Sequence, residues 1–398
     1  MLSAEANLLL KALDPLGPAL LEAARNPDLD WDRALWLAER EKATLALWDA
    51  VRALPAGSIP AERLHRLHRL AVVSEFRMLR LEGHLRQVLS VLGEAGIEVV
   101  LLKGAALATS VYGSFRDRPM YDLDLLVRPE QADRAWDLLR QAGWIHDAVE
   151  CPTEFYNGHH HLAPLDDPAG TGLSIEIHTA PWRGAVELAA DTVWMEARRV
   201  EVGGQAAWVP RSEHLLLHLA SHFAWGHLLR SSAWRTLRDL RQLIAHGAVD
   251  WDEVVRIARE SKGQTCCFWA LRLARGVGGA PVPERVLRDL QPPRPAVILG
   301  MLERHYLSGL FALAPARCPS TALERALWTA GIAPRWSGHG TSRPWERDRI
   351  FLDLTTDQKP LRPVDRLRAH LGRAAAWVQY LRFLLGSSRY PAPPGTSG

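Results

Sequence analysis

The sequence predicts an α+β fold, and three observations carry that reading. A middle stretch carries short β-branched apolar runs and alternating segments, whereas the stretches before and after it repeat apolar residues at helical spacing. The pattern divides the chain into an N-terminal helical region (1–85), a mixed core domain (86–210) and a C-terminal helical domain (211–386). A tail, 387–398, with three prolines and two glycines, is expected to be disordered. At 398 residues, 47% of them apolar and 23% charged, the chain can form about two or three globular cores.

In residues 1–85, Pro15, Pro18, Pro27, Pro55 and Pro60 interrupt the helical spacing and predict several short helices. Asp30 is the expected N-cap of a helix whose apolar side includes Leu35, Ala38 and Leu45. From Pro60 to Leu92 the pattern is nearly continuous. Leu64, Leu67, Leu70, Val73 and Leu81 are expected in the core, with Arg63, Arg66, Arg69, Arg77, Arg80 and Arg86 mainly on a solvated face.

Ile97 to Leu102 reads as a buried strand that turns at Lys103-Gly104 into a helix, Ala105 to Val111. After a loop holding Arg116 and Arg118, Asp122 and Asp124 open a second strand. Residues two apart share a face, so both carboxylates project together while Leu123, Leu125 and Val127 are buried opposite. Pro129 starts a helix that stops at Gly143, and Trp144 to Val149 is expected to be a further strand. His159, His160 and His161 lead through the turn Asp166 to Gly170 into Ser174-Ile175-Glu176-Ile177-His178, an alternating strand with Glu176 between buried isoleucines. Gly203-Gly204 marks a hairpin ending at Val209.

Downstream, Ser212 is the expected N-cap of a helix carrying His214, His218 and His222 at intervals of four. A second helix, Trp234 to Ala245, holds Arg235, Arg238 and Asp239, and Asp250 caps a third. Pro292 to Pro295 forms a turn, and the last helix is expected over Val364 to Leu385.

Charge and composition narrow the function. A net charge of +3, with arginines dispersed instead of clustered, gives no strong nucleic-acid signal. Cys151, Cys266, Cys267 and Cys318 lack metal-ligand spacing, which suits a reduced, cytoplasmic protein. No apolar run reaches the roughly 20 residues needed to cross a bilayer, and the N-terminus shows no secretion signal, so no membrane insertion is expected.

The chemistry concentrates in a glycine turn, an Asp-x-Asp pair and a later single acid. A strand–glycine–helix turn can hold phosphate on unpaired N–H groups, and side-by-side carboxylates repel unless a cation lies between them. That order, with Leu102-Lys103-Gly104-Ala105, Arg118 to Val127 and Ile175-Glu176-Ile177-His178, resembles the bacterial uncharacterised nucleotidyltransferases of the DNA polymerase β-like superfamily. The resemblance covers most of the chain and implies a small mixed sheet with flanking helices, lying between the helical regions. It also implies an NTP co-substrate and two Mg²⁺ ions shared by Asp122 and Asp124, with Glu176 joining the ion nearer the acceptor. Lys103, Gly104, Ala105 and Arg118 are then the nucleotide-binding candidates. The superfamily usually has Gly or Ser after the turn glycine; Ala105 offers no hydroxyl.

His160, His161, His178, His218, His222 and Asp239 are candidate substrate contacts, Asp239 as a group that orients an imidazole or an arginine. The favoured reading is a Mg²⁺-dependent transfer of a nucleoside monophosphate to a hydroxyl or phosphate acceptor, with pyrophosphate release. The resemblance admits a small-molecule or peptide acceptor. The alternatives are a metal-dependent glycosyltransferase using a nucleotide-sugar and a non-catalytic nucleotide- or peptide-binding module. No separate dinucleotide-type glycine unit precedes the Asp pair, which weighs against the former, and the presence of all three acids weighs against the latter.

Overall fold

A computed structural model of the chain describes residues 2–13, 18–149, 151–182, 186–246, 249–312, 318–332 and 376–386. The fold is α+β, as the sequence predicts. Its centre is a six-stranded mixed sheet formed by β1 (Val100–Leu101), β2 (Asp122–Leu126), β3 (Leu165–Asp166), β4 (Ser174–His178), β5 (Arg198–Val202) and β6 (Gln205–Val209). The strand order is β3-β4-β2-β1-β6-β5. β2 runs parallel to β4 and antiparallel to β1, and β1 runs parallel to β6. The glycine hairpin joins β5 to β6, with Gly203 and Gly204 in the left-handed region that lets two residues reverse the chain.

The continuous helical pattern folds as one helix, Ala61–Glu94, which crosses residue 85 without a break and packs against β6 and the helices Thr44–Val51 and Ala132–Gln141. Its buried row is Leu67, Ala71, Met78, Leu81, Leu85, Val88, Leu89 and Leu92. Val73, expected in the core, is half exposed because it lies across the helix from that row. Two of the helix's arginines, Arg63 and Arg66, pair with Asp32, and Arg80 pairs with the buried Asp167.

Asp30 and Asp250 cap their helices as expected, each accepting from two backbone N–H groups. Ser212 does not: Arg211 occupies the cap position and Ser212 is already helical. The strand expected over Trp144 to Val149 reduces to a single bridge, Ile145 to Asp166, and Val149 is 90% exposed. β4 already holds the other side of the two-residue β3, so little edge remains to extend a ladder there. Residues 376–385 are helical; the rest of the Val364 to Leu385 expectation, and the tail, lie outside the described residues. Among the described residues no helix is long and apolar enough to cross a membrane.

Candidate active site

Parallel pairing of β2 with β4 sets Asp122 opposite Ser174, Asp124 opposite Glu176 and Leu126 opposite His178. Because both strands have period two, this register places Asp124 and Glu176 side by side on one face, with Ile175 and Ile177 fully buried on the other. His178 Nε2 lies 3.0 Å from Asp124 Oδ1 and 3.3 Å from Glu176 Oε2. Asp124, Glu176 and His178 offer ligand atoms that all lie within 4.8 Å of one another, a geometry that a divalent cation could bridge. Asp122 stands outside that group, one pleat upstream.

The strand β1 ends in the turn at Lys103, where the helix Lys103–Leu107 begins. Lys103 has a φ of 42°, a left-handed conformation that costs a side-chain-bearing residue about 1–3 kcal/mol. The turn delivers its ammonium 2.6 Å from Asp124 Oδ1. Gly104 follows because no Cβ fits there: one would lie 2.9 Å from Met120 Sδ and 3.0 Å from Arg118 Nη1. Arg118 is in turn fixed by Asp239. Its Nε is 2.9 Å from both carboxylate oxygens and its Nη2 is 2.7 Å from Oδ2, in a pair that is almost wholly buried. Tyr112 donates to the same carboxylate at 2.9 Å.

Electrostatics hold the carboxylates ionised. Burial alone would raise the Glu176 pKa, but the His178 hydrogen bond and the Lys103 charge outweigh it and hold the group below its ordinary range. Burial likewise opposes ionisation of Asp124, and Lys103 and His178 reverse the sign. His178 moves the other way: burial lowers it, yet its two carboxylate partners raise it overall.

Beside β4 the lining is imidazole and indole. His160 stands 5.3 Å from His178 and 5.5 Å from Trp182, ring to ring; His161 stands 5.2 Å from His178. Trp182 also meets His218 at 6.3 Å and His222 at 5.9 Å. Burial, followed by neighbouring positive charge, lowers the pKa of His160 and His222, and brings that of His218 down to about 3. These rings are therefore neutral. His178 Nδ1, His218 Nε2, Trp182 Nε1 and Ser221 Oγ are all buried without a hydrogen-bond partner among the described residues.

Beside Asp122 the lining is cationic. Lys42 lies in the turn between the helices Trp31–Arg40 and Thr44–Val51, with Nζ 4.0 Å above the Tyr121 ring. Arg235 lies in the first turn of the helix Ala233–His246 and donates to Ser232 Oγ at 3.1 Å. Neither makes an ion pair among the described residues. Burial brings the Lys42 pKa down to about 7, helped by the charge of Arg235 and opposed by Asp122. Burial also lowers Arg235, helped by Arg118. His227 faces the same space; burial, then Arg235 and Lys103, bring it down to about 4, and its Nε2 is buried without a partner.

The structure thus gathers Asp122, Asp124, Glu176, Lys103, Gly104, Arg118, His160, His161, His178, His218, His222 and Asp239 around the β2–β4 rim. Ala105 is buried in the helix behind the turn. Lys103 is ion-paired with Asp124, and Arg118 with Asp239. Lys42, His227 and Trp182 escaped sequence reasoning, as did a role for Arg235. The four-residue spacing of Arg235 and Asp239 on one helix face was the one usable signal.

Residues 27–279 fit the family model described as uncharacterised nucleotidyltransferase. The match spans more than half of the chain, and the chain belongs to that family. No curated protein matches it.

Proposed function

We propose that the β2–β4 rim transfers a nucleoside monophosphate from an NTP to a hydroxyl or phosphate acceptor, with release of pyrophosphate. The observation that carries this reading is the parallel register that sets Asp124 beside Glu176, with Asp122 one pleat away and a strand–Gly–helix turn alongside. The donor set fits a divalent cation. Two carboxylates suit Mg²⁺, and the His178 imidazole also admits Mn²⁺ or Zn²⁺.

Asp124 and Glu176 would hold the metal, with His178 beside them and Asp122 as a further ligand once substrate is present. When bound, divalent metal supplies charge neutralisation at the phosphoryl group being transferred. Glu176, kept ionised by its surroundings, is the group placed to accept the acceptor's proton. The acceptor oxygen bonds to the α-phosphorus, and the bond from that phosphorus to the bridging oxygen breaks. The bonding pair leaves with pyrophosphate. Lys103 and Arg118 flank the Gly104 turn, each held by its own carboxylate, Asp124 and Asp239, and fix the turn whose backbone N–H groups would face phosphate. The neutral rings of His160, His218 and Trp182 form the acceptor side, where His218 Nε2 and Trp182 Nε1, unpartnered among the described residues, suit an uncharged hydroxyl or amide group.

The test is pyrophosphate release from each of ATP, GTP, CTP and UTP with Mg²⁺ or Mn²⁺, by the wild type and by Asp124→Asn. Release from one NTP that the substitution abolishes is the expected result. Turnover of a nucleotide-sugar to a nucleoside diphosphate, with no pyrophosphate from any NTP, would establish the glycosyltransferase alternative instead.

A further inference from the structure

We propose that Lys42 and Arg235, with His227 nearby, form a grip for the two outer phosphates of a polyphosphate chain. The inference rests on the nucleotidyl-transfer reading for the identity of the substrate, though not for the chemistry of the site.

Two cations of the same sign converge here on one partly buried space, and neither has a carboxylate partner among the described residues. Removing unpaired charges from water is costly, and placing them within mutual repulsion adds to the cost. Folding does not relieve this; it enforces it. The buried Glu41 carboxylate accepts the backbone N–H of Trp234 at 3.1 Å, clamping the turn that carries Lys42 to the helix start that carries Arg235. The residues next to the clamp are the two cations themselves. Lys42 (φ 56°) and Ser232 (φ 52°), the partner of Arg235, both have left-handed backbones. Four of the seven such non-glycine residues among the described ones, Lys42, Leu228, Leu229 and Ser232, lie in the segments that bear these cations and His227. Strain of this kind persists where a particular side-chain position is required.

The ligand must be anionic and must carry more than one charge. Asp122 is within electrostatic reach of Lys42, Arg235 and His227, so it would repel a simple monoanion entering between them. A phosphate chain can instead place its outer groups on Lys42 and Arg235 while its inner phosphate faces the carboxylates through a divalent cation. Buried, unpartnered His227 Nε2 offers a further neutral contact. In nucleotidyl transfer the outer two phosphates become the leaving pyrophosphate, so the same cations would balance the charge that the leaving group gains.

The experiment is calorimetric titration of inorganic tripolyphosphate with Mg²⁺ into the full-length wild type, Lys42→Gln and Arg235→Gln. Mn²⁺ alone serves as a probe of the carboxylate site. Each Gln variant is expected to weaken tripolyphosphate about 10- to 100-fold, a loss typical of one charged contact, while Mn²⁺ affinity holds. Lys42→Arg and Arg235→Lys should retain most of the affinity and show that the fold tolerates change there. A wild type that binds no tripolyphosphate, or Gln variants that bind it as tightly as the wild type, overturns the grip. Tripolyphosphate bound through Lys42 and Arg235 by a protein that releases no pyrophosphate from any NTP sustains the grip and sinks the transferase reading. Pyrophosphate release that both Gln variants leave unchanged, with equal tripolyphosphate affinity, does the reverse.

Discussion

The carboxylate rim has two flanks, and the groups left unsatisfied on them differ in kind. On the β4 flank, His218, Trp182 and Ser221 bury neutral polar atoms with no hydrogen-bond partner among the described residues. On the Asp122 flank, Lys42 and Arg235 hold positive charge with no ion-pair partner among the described residues, Asp122 acting on them only at a distance. A buried neutral donor or acceptor lacks a hydrogen bond worth about 1–3 kcal/mol, whereas a buried charge lacks a counter-charge as well. The first deficit is met by a hydroxyl or an amide and the second only by an anion. The contrast therefore orients a substrate pair, with acceptor toward the rings and polyphosphate toward the cations. The Arg118–Asp239 pair, close by and more deeply buried, shows what a settled charge looks like: three short contacts to one carboxylate that also accepts from Tyr112.

The largest expected effect removes the boundary between the flanks. Asp124→Asn should lower pyrophosphate release on the order of 10³-fold, because a bound cation contributes several kcal/mol of charge stabilisation. Near-ultraviolet circular dichroism of the variant should match the wild type.

Next is a test of whether settled and unsettled charges differ in what they contribute to the fold. Asp239→Ala strands Arg118 in the interior and should cost about 3–5 kcal/mol in urea denaturation. Lys42→Gln and Arg235→Gln, in contrast, should leave stability unchanged or raise it by about 0.5–2 kcal/mol, the usual relation where function stores unfavourable charge. A large loss of stability in both would erase the distinction.

On the ring flank, His218→Gln should reduce turnover about tenfold through one lost contact and leave tripolyphosphate affinity within about twofold. Equal losses in both measurements would mean that the flanks act as one pocket.

The smallest effect is a pH slope. Lys42 is met by Tyr121, Asp122, Asp124, Arg118, Arg235, Arg77 and His227 from the elements around it. Their balance with burial puts its pKa at about 7 in the free protein. Anion binding favours the protonated form, so above pH 7 binding must take up a proton. Affinity for tripolyphosphate should accordingly fall by up to about tenfold per pH unit between 7 and 9, and below 7 Lys42 should contribute no slope. Lys42→Arg, always charged, should flatten the profile.

Much of this site was legible because its central parts are local. Period two along Asp122-Leu123-Asp124 and Ile175-Glu176-Ile177 fixes which side chains share a face, whatever surrounds the strands. The turn at Lys103-Gly104 is likewise a property of consecutive residues. Pattern failed where burial depended on neighbours: Val73 has a helical spacing that suits the core, yet among the described residues its side of the helix is left half exposed. Trp144 to Val149 has strand-like residues but finds only one bridge to pair with.

The sequence by itself determined the α+β division, the three acids, the glycine turn and the family, because each is encoded in short-range spacing or in the order of motifs. Only the tertiary structure decided that Asp124 and Glu176 are neighbours in register, that Arg118 belongs to Asp239, and that the Lys42 turn is held to the helix start bearing Arg235. Glu41 and Trp234, which clamp that last pair, are 193 residues apart. No periodicity reaches across such a distance: packing of separate helices sets it, and packing depends on all the surfaces that close together at once.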